Sequence, residues 1–357
     1  MTRRGVPKSQ GQDAVEALLA QADSAFQRAE PERALLLADQ ALTLAPTSPE
    51  ALHYRAAALA SLGRVDESHD AYRLALRSDP EDLETLHGAI DLLVHELGEE
   101  RDSLEDALEL AERALALARR REAPDLEREL LMLGGMALNK LGDARRALEA
   151  LDRARALSPD DPEIGLERAI ALFSLCRFGD AKKQLERVLE SVPTDGWAHH
   201  YLGLVAERSG STQLARKHFQ LARHHSPEDF PAPVELSADA FDKAIEDALS
   251  RLPGRVKHYL TNVSIVVQDL PRHEDLCASE PPLPPALLGL FAGQAISERS
   301  GDPWSHFPSQ IVLYQKNLQR FARSREELIE QIGITLMHEV GHFLGLSEDD
   351  LYQRGLD

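Results

Sequence analysis

Between Ser324 and Phe343 the apolar residues Ile329, Ile332, Leu336, Val340 and Phe343 fall at steps of three or four, which predicts a helix with a core-facing stripe. Ser324 followed three residues later by Glu327 is a capping box, so the helix should begin there. His338 lies about 200° around from Leu336, on a second face lined by Gln331 and Ile334. A helix apolar on both faces is expected to be buried on both. Upstream, Ser237 can cap a helix running through Phe241, Ile245 and Leu249, ended by Pro253-Gly254. Two β-branched stretches, residues 262–269 ("NVSIVVQD") and 309–318 ("SQIVLYQKNL"), read as strands. "GLFAG" reads as a shorter one, leading into a loop at 297–308 with Gly301 and Trp304.

The first two thirds of the chain repeat. Pro46, Pro80, Pro159, Pro193 and Pro227 are spaced by 34, 79, 34 and 34 residues, and the long interval holds one further unit with a short insertion near "GEERD". Small residues recur where two helices must approach: Ala34 and Ala41; Gly135, Ala147 and Ala154; Gly203, Ala215 and Ala222. The second unit has Ser68 where an alanine is expected. This pattern resembles the tetratricopeptide repeat (TPR) family, with about six units over 13–229. Such units stack because one helix pair cannot bury its own apolar face, and the resulting groove takes extended peptides or partner helices. Residues 1–12 are expected to be a disordered tail, and the proline-rich 230–236 a linker to a second domain over 237–357.

Chemistry concentrates in His338-Glu339-Val340-Gly341-His342. Histidines four apart share a helix face and can bind one metal ion, with Glu339 beside them as general base. A zinc site of this kind takes a third protein ligand and leaves a position for water. Gly345 is placed to end the helix in a left-handed turn. The third ligand is then expected among Glu348, Asp349 and Asp350, and Glu348, ten residues after His338, is preferred. No methionine follows the motif. The pairs His199-His200 and His224-His225 do not make a second metal site, because adjacent helical residues point about 100° apart; they read as surface or packing residues.

Composition narrows the partners. The net charge of −20 makes nucleic acid an unfavourable ligand and a basic peptide or protein a favourable one. Cys176 and Cys277 are the two cysteines, one in each expected domain, and read as buried free thiols in a reducing compartment. No apolar run follows the basic N-terminus and none approaches 18 residues, so a signal peptide and a membrane span are not expected. The location predicted is cytoplasmic.

From about 236 to 352 the order of "ALSRLP", "NVSIVVQD", "LLGLFAG", "ISERS", "QIVLYQKNL" and "TLMHEVGHFLGLSEDDL" closely resembles the small bacterial zincin-like metallopeptidases, or minimal zincins. The resemblance implies a compact α+β fold beside the active-site helix. It places the zinc ligands on His338, His342 and Glu348, and the catalytic glutamate on Glu339. The expected architecture is an all-α TPR superhelical solenoid followed by a small α+β zincin-like domain. The expected activity is zinc-dependent peptide hydrolysis on substrates recruited by the repeats, with the strand at 309–315 pairing to an extended substrate. Tyr259, His306 and Tyr314 are oxyanion candidates by residue type, and the 297–308 loop is a lid candidate or a plain surface loop. The alternative is a TPR protein-interaction adaptor whose last domain binds metal with little activity.

Overall fold

Helix pairing in the first part of the chain follows from where the small residues lie. The computed structural model describes residues 10–261, 263–293, 309–347 and 350–351. Up to His225 it contains α1 (Gln10–Gln27), α2 (Pro31–Leu44), α3 (Pro49–Ser61), α4 (Val65–Ser78), α5 (Leu83–His95), α6 (Arg101–Arg120), α7 (Pro124–Lys140), α8 (Ala144–Leu157), α9 (Pro162–Ser174), α10 (Phe178–Ser191), α11 (Gly196–Arg208) and α12 (Thr212–His225). Within the pairs α7–α8 and α11–α12, a β-carbon on Gly135 would stand 2.6 Å from Leu151, and one on Gly203 2.6 Å from the Phe219 ring. Only glycine allows these approaches. Ala34, Ala41, Ala147, Ala154 and Ala222 are each fully buried. The turns inside five of the pairs pass through a left-handed residue: Ala29, Gly63, Gly142, Cys176 and Gly210, with φ between 55° and 80°. Helix starts are capped in the same repeating way, with Ser48, Asp82, Asp143 and Asp195 accepting a backbone N–H three residues on.

The described residues divide into two compact units between Ala171 and Leu172, inside α9. In the first, Ser68 is fully buried and its hydroxyl donates to the Ala56 carbonyl at 2.8 Å, so the departure from alanine leaves no unsatisfied group. The insertion near "GEERD" separates α5 from a long α6.

The second unit holds α10 to α12 and the mixed part that follows: α13 (Ala238–Arg251), α14 (Gly254–Leu260), β1 (Ser264–Gln268), α15 (His273–Leu276), β2 (Gly289–Ala292), β3 (Gln310–Tyr314), α16 (Gln315–Phe321) and α17 (Arg325–Phe343). Ser237 caps α13 as expected, accepting from Ala240 N at 3.3 Å. The strand expected over 309–318 ends at Tyr314, and the chain continues as α16. Asn317 makes the helical ending worthwhile: buried, it donates to the carbonyls of Pro285 (3.0 Å) and Leu287 (2.7 Å).

The sheet order is β1-β3-β2, with β1 parallel and β2 antiparallel to β3. The central strand is thus hydrogen-bonded on both sides, so the substrate pairing expected of residues 309–315 is corrected: β3 has no free edge.

The proline-rich stretch is tied down. Val234 N donates to Gln319 O at 3.1 Å, Gln315 and Gln319 donate to the Leu236 carbonyl, and the His200 ring stacks on Phe230 at 4.4 Å. Burial, with Arg320 nearby, pushes His200 well below the usual histidine range. His199 lies 3.1 Å from His218 and 3.2 Å from the Pro193 carbonyl. These histidines pack, as expected. Further ties join the last repeat helices to the mixed part: Arg320 to Glu207 (2.6 Å), and Arg208 to the carbonyls of Pro271 (3.1 Å) and Pro285 (2.6 Å). No described helix is long and apolar enough to cross a membrane.

Candidate active site

The site begins with α17, and both of its ends are set by the residues the pattern singled out. Ser324 Oγ accepts from Glu327 N at 3.1 Å, and the Glu327 carboxylate reaches back to Arg323 N at 2.7 Å. Ile329, Ile332, Leu336, Val340 and Phe343 are at most 4% exposed and pack with Phe241, Ile245, Ile311 and Leu313. At about 1.5–3 kcal/mol per large side chain, that stripe holds the helix in place. The opposite face differs from expectation. Gln331, Ile334, His338 and His342 are half-buried, so the histidine face is accessible.

His338 Nε2 and His342 Nε2 converge to 3.1 Å. His342 Nδ1 lies 3.1 Å from the Leu346 carbonyl; a carbonyl only accepts, so Nδ1 carries the proton and Nε2 presents its lone pair. The position of that carbonyl follows from Gly345. With φ of 87°, Gly345 reverses the chain; its N–H bonds to His342 O (2.9 Å) and the Leu346 N–H bonds to Gly341 O (3.0 Å). Gly341 contributes through its missing side chain: a β-carbon there would meet Leu351 at 2.3 Å, and Leu351 is fully buried. Leu351, beyond the glycine turn, is therefore seated against the helix that carries the motif.

Glu339 is 4% exposed, on a third side of the helix. It faces the start of β2, where a β-carbon on Gly289 would stand 3.1 Å from Glu339 Oε1 and 2.5 Å from Thr335. No local pattern singles out Gly289, whose effect depends on a strand some fifty residues away in the chain. Asp350 is engaged as a cap: its carboxylate accepts from Ser347 N (3.0 Å) and Ser347 Oγ (2.6 Å). Glu348 and Asp349 lie outside the described residues, as do His306 and the 297–308 loop. Of the other oxyanion candidates, Tyr259 is 38% exposed on α14. Tyr314 is buried within the electrostatic reach of Glu339; burial first, then Asp275 and Glu339, push its hydroxyl up to about 12.

The donor set fits a divalent cation. Two imidazole nitrogens 3.1 Å apart match one edge of a tetrahedral site with Zn–N near 2.0–2.1 Å, and the Leu346 carbonyl is the outer partner such a histidine ordinarily has. A repeat solenoid followed by a helix-borne metal-peptidase motif beside a small sheet defines the class of protein.

Comparison with known proteins agrees on both parts. Residues 260–356 match the zincin-like metallopeptidase family, and residues 19–82 and 138–207 match tetratricopeptide repeats. The chain thus carries N-terminal TPR repeats and a C-terminal zincin-like metallopeptidase domain. Its fold is similar to the solved structure of Pseudomonas aeruginosa pilF, with 17% identity over 67% of this chain and 100% of that one and a TM-score of 0.50. It is also similar to PilW, described as a type IV pilus biogenesis factor, with 19% identity over 62% and 96% and a TM-score of 0.51. At these identities the likeness speaks for the fold alone.

Proposed function

We propose that this chain is a zinc-dependent peptidase whose TPR repeats recruit a protein or peptide. In this reading residues 13–229 are the repeats, 230–236 the linker and 237–357 the catalytic part. His338, His342 and Glu348 hold the ion, and Glu339 is the general base. The observation that carries it is the convergence of the two Nε2 atoms at 3.1 Å, with Glu339 buried beside β2. Asp350, occupied with Ser347, is the weakest of the three acid candidates for the remaining ligand.

Zinc, when bound, lowers the pKa of its water to about 7 and polarises a substrate carbonyl. Glu339 takes the proton of the attacking water on its carboxylate and later passes it to the leaving amine nitrogen. His342 is kept in one tautomer by Leu346. Among the described residues β2 pairs on one side only, and Gly289 at its start abuts Glu339. In this reading an extended substrate pairs with the outer edge of β2, by backbone hydrogen bonds that do not depend on sequence. The net charge of −20 favours basic substrates and disfavours nucleic acid. No membrane partner is invoked, and a cytoplasmic setting suits the two free thiols.

Zinc content and peptide-library cleavage, measured on wild type, Glu339→Gln, His342→Ala and Glu348→Ala, test this. The expected result is zinc unchanged and cleavage lost in Glu339→Gln, and cleavage lost together with the zinc of this site in His342→Ala. Zinc without cleavage in wild type would make the chain the adaptor instead, and a zinc-free wild type would remove the metal site altogether.

A further inference from the structure

Three of the turns inside repeat pairs use glycine for their left-handed residue: Gly63, Gly142 and Gly210. At the equivalent turn between α9 and α10, one repeat length from both Gly142 and Gly210, the residue is Cys176, with φ of 58°. A side chain is disfavoured in this conformation. The thiol is buried, and it faces α15.

There His273 and Cys277 are four apart and share one helical face, the same spacing as His338 and His342. Cys277 Sγ lies 3.8 Å from His273 Nε2 and 3.9 Å from Nδ1. Cys176, His273 and Cys277 each offer a ligand atom, all within 4.8 Å of one another. Among the described residues this is the one group of three or more histidine, cysteine or acidic side chains that converges so closely.

The surroundings hold the two sides of this cluster together. Arg208 on α11 donates to the carbonyls of Pro271 and Pro285, which flank α15 in the chain, and its guanidinium lies over the Phe178 ring at 5.1 Å. Phe178 in turn contacts the His273 ring at 5.8 Å. The neighbouring acids are already used, since Arg272 pairs with both Glu274 (2.7 Å) and Asp275 (2.8 Å). His273 and Cys277 are exposed, so an ion can enter from solvent.

The geometry points to a second metal site, separate from the helix motif, in which Cys176, His273 and Cys277 bind a zinc-class divalent cation. Two sulfurs and one imidazole suit zinc, whereas carboxylate- and carbonyl-preferring ions such as magnesium and calcium are excluded by donor type. On binding, the two thiols release two protons and the ion gains two thiolates and one neutral ring nitrogen, leaving a fourth position for water. The ion ties the last repeat turns to the segment leading into β2.

Cobalt(II) titration of the full chain, purified reduced and without oxygen, tests this. Thiolate ligation gives a sulfur-to-cobalt charge-transfer absorption in the near ultraviolet, which the histidine and carboxylate donors of the other site cannot produce. Wild type is expected to show this band with one thiolate-bound cobalt per chain. Cys277→Ser and Cys176→Gly are expected to lose it, and His273→Ala to weaken binding at least tenfold. His342→Ala is expected to keep it, so failure of the peptidase reading and failure of this one are distinguishable. Cys277 is exposed and glycine suits the Cys176 turn, so both cysteine variants should fold, as far-ultraviolet circular dichroism will show. Absence of the band in reduced wild type, or its survival in both cysteine variants, overturns the proposal. So does a chain lighter by two hydrogens whose reduced form takes no cobalt, which would make Cys176 and Cys277 a disulfide pair.

Discussion

Two clusters of ligand-type side chains lie in the second unit, and they are assembled in opposite ways. His338 and His342 come from one helix, four residues apart, and a single glycine turn brings the Leu346 carbonyl back to orient one of them. Cys176, His273 and Cys277 come from a repeat turn and a one-turn helix about a hundred residues apart, with Arg208 joining the two. In the first cluster local geometry supplies the arrangement and tertiary packing protects it. In the second, tertiary packing supplies the arrangement itself.

The comparison can be broken most decisively at Glu339. Glu339→Gln keeps the shape of the side chain and should lower peptide cleavage by about 10²–10⁴-fold with zinc content unchanged, measured by steady-state kinetics beside metal analysis. A variant that loses its zinc would mean that Glu339 supports the metal and not the chemistry. Next comes Gly341→Ala. The added methyl would overlap Leu351, and relief of that overlap should cost about 1–3 kcal/mol in a urea melt of the full chain. Because Leu351 packs on the motif helix just beyond the Gly345 turn, the same variant should weaken zinc binding, whereas the cobalt–thiolate absorption should be unaffected.

The two left-handed residues give a sharper contrast at smaller cost. Gly345→Ala forces a side chain into φ of 87° and should destabilise by about 1 kcal/mol, whereas Cys176→Gly removes a strained side chain. The metal-free chain should therefore become up to about 1 kcal/mol more stable with Cys176→Gly and less stable with Gly345→Ala, as read by thermal melts in chelator. The zinc-loaded chain should reverse the sign for Cys176→Gly.

A further effect concerns pH. His200, stacked on Phe230, has its pKa lowered by burial, so the unfolded chain takes up a proton that the folded one resists. Its contribution is fully present above the ordinary histidine value near 6.5 and is lost as the pH falls below it, at up to about 1.4 kcal/mol per pH unit. His200→Phe should flatten the denaturation midpoint measured between pH 6.5 and 5 relative to wild type.

Much of the helix that carries the histidine motif was legible because its determinants are local. The capping box at Ser324, the stripe from Ile329 to Phe343 and the turn at Gly345 each act within a few residues, where helical periodicity and left-handed preference apply directly. The repeats were legible for a related reason: a 34-residue period exposes the positions, such as Gly135 and Gly203, at which neighbouring helices touch. Residues 309–318 misled because β-branched content says where a strand can form and not where it stops. Asn317, whose partners are carbonyls about thirty residues upstream, decides that. The same limit applied to the sheet edge proposed for substrate. A strand's composition does not tell whether it lies at the centre or the margin of a sheet, and the pairing order put β3 at the centre and β2 outside.

The sequence by itself determined the helix pairs, the caps and the spacing of two histidines and a glutamate, all of which depend on contacts within one turn or one repeat. The tertiary structure alone decided that Gly289 stands against Glu339, that Asp350 is occupied as a cap, and that Cys176 meets His273 and Cys277. These are contacts between residues whose separation along the chain carries no period, so only packing the elements together brings them into reach.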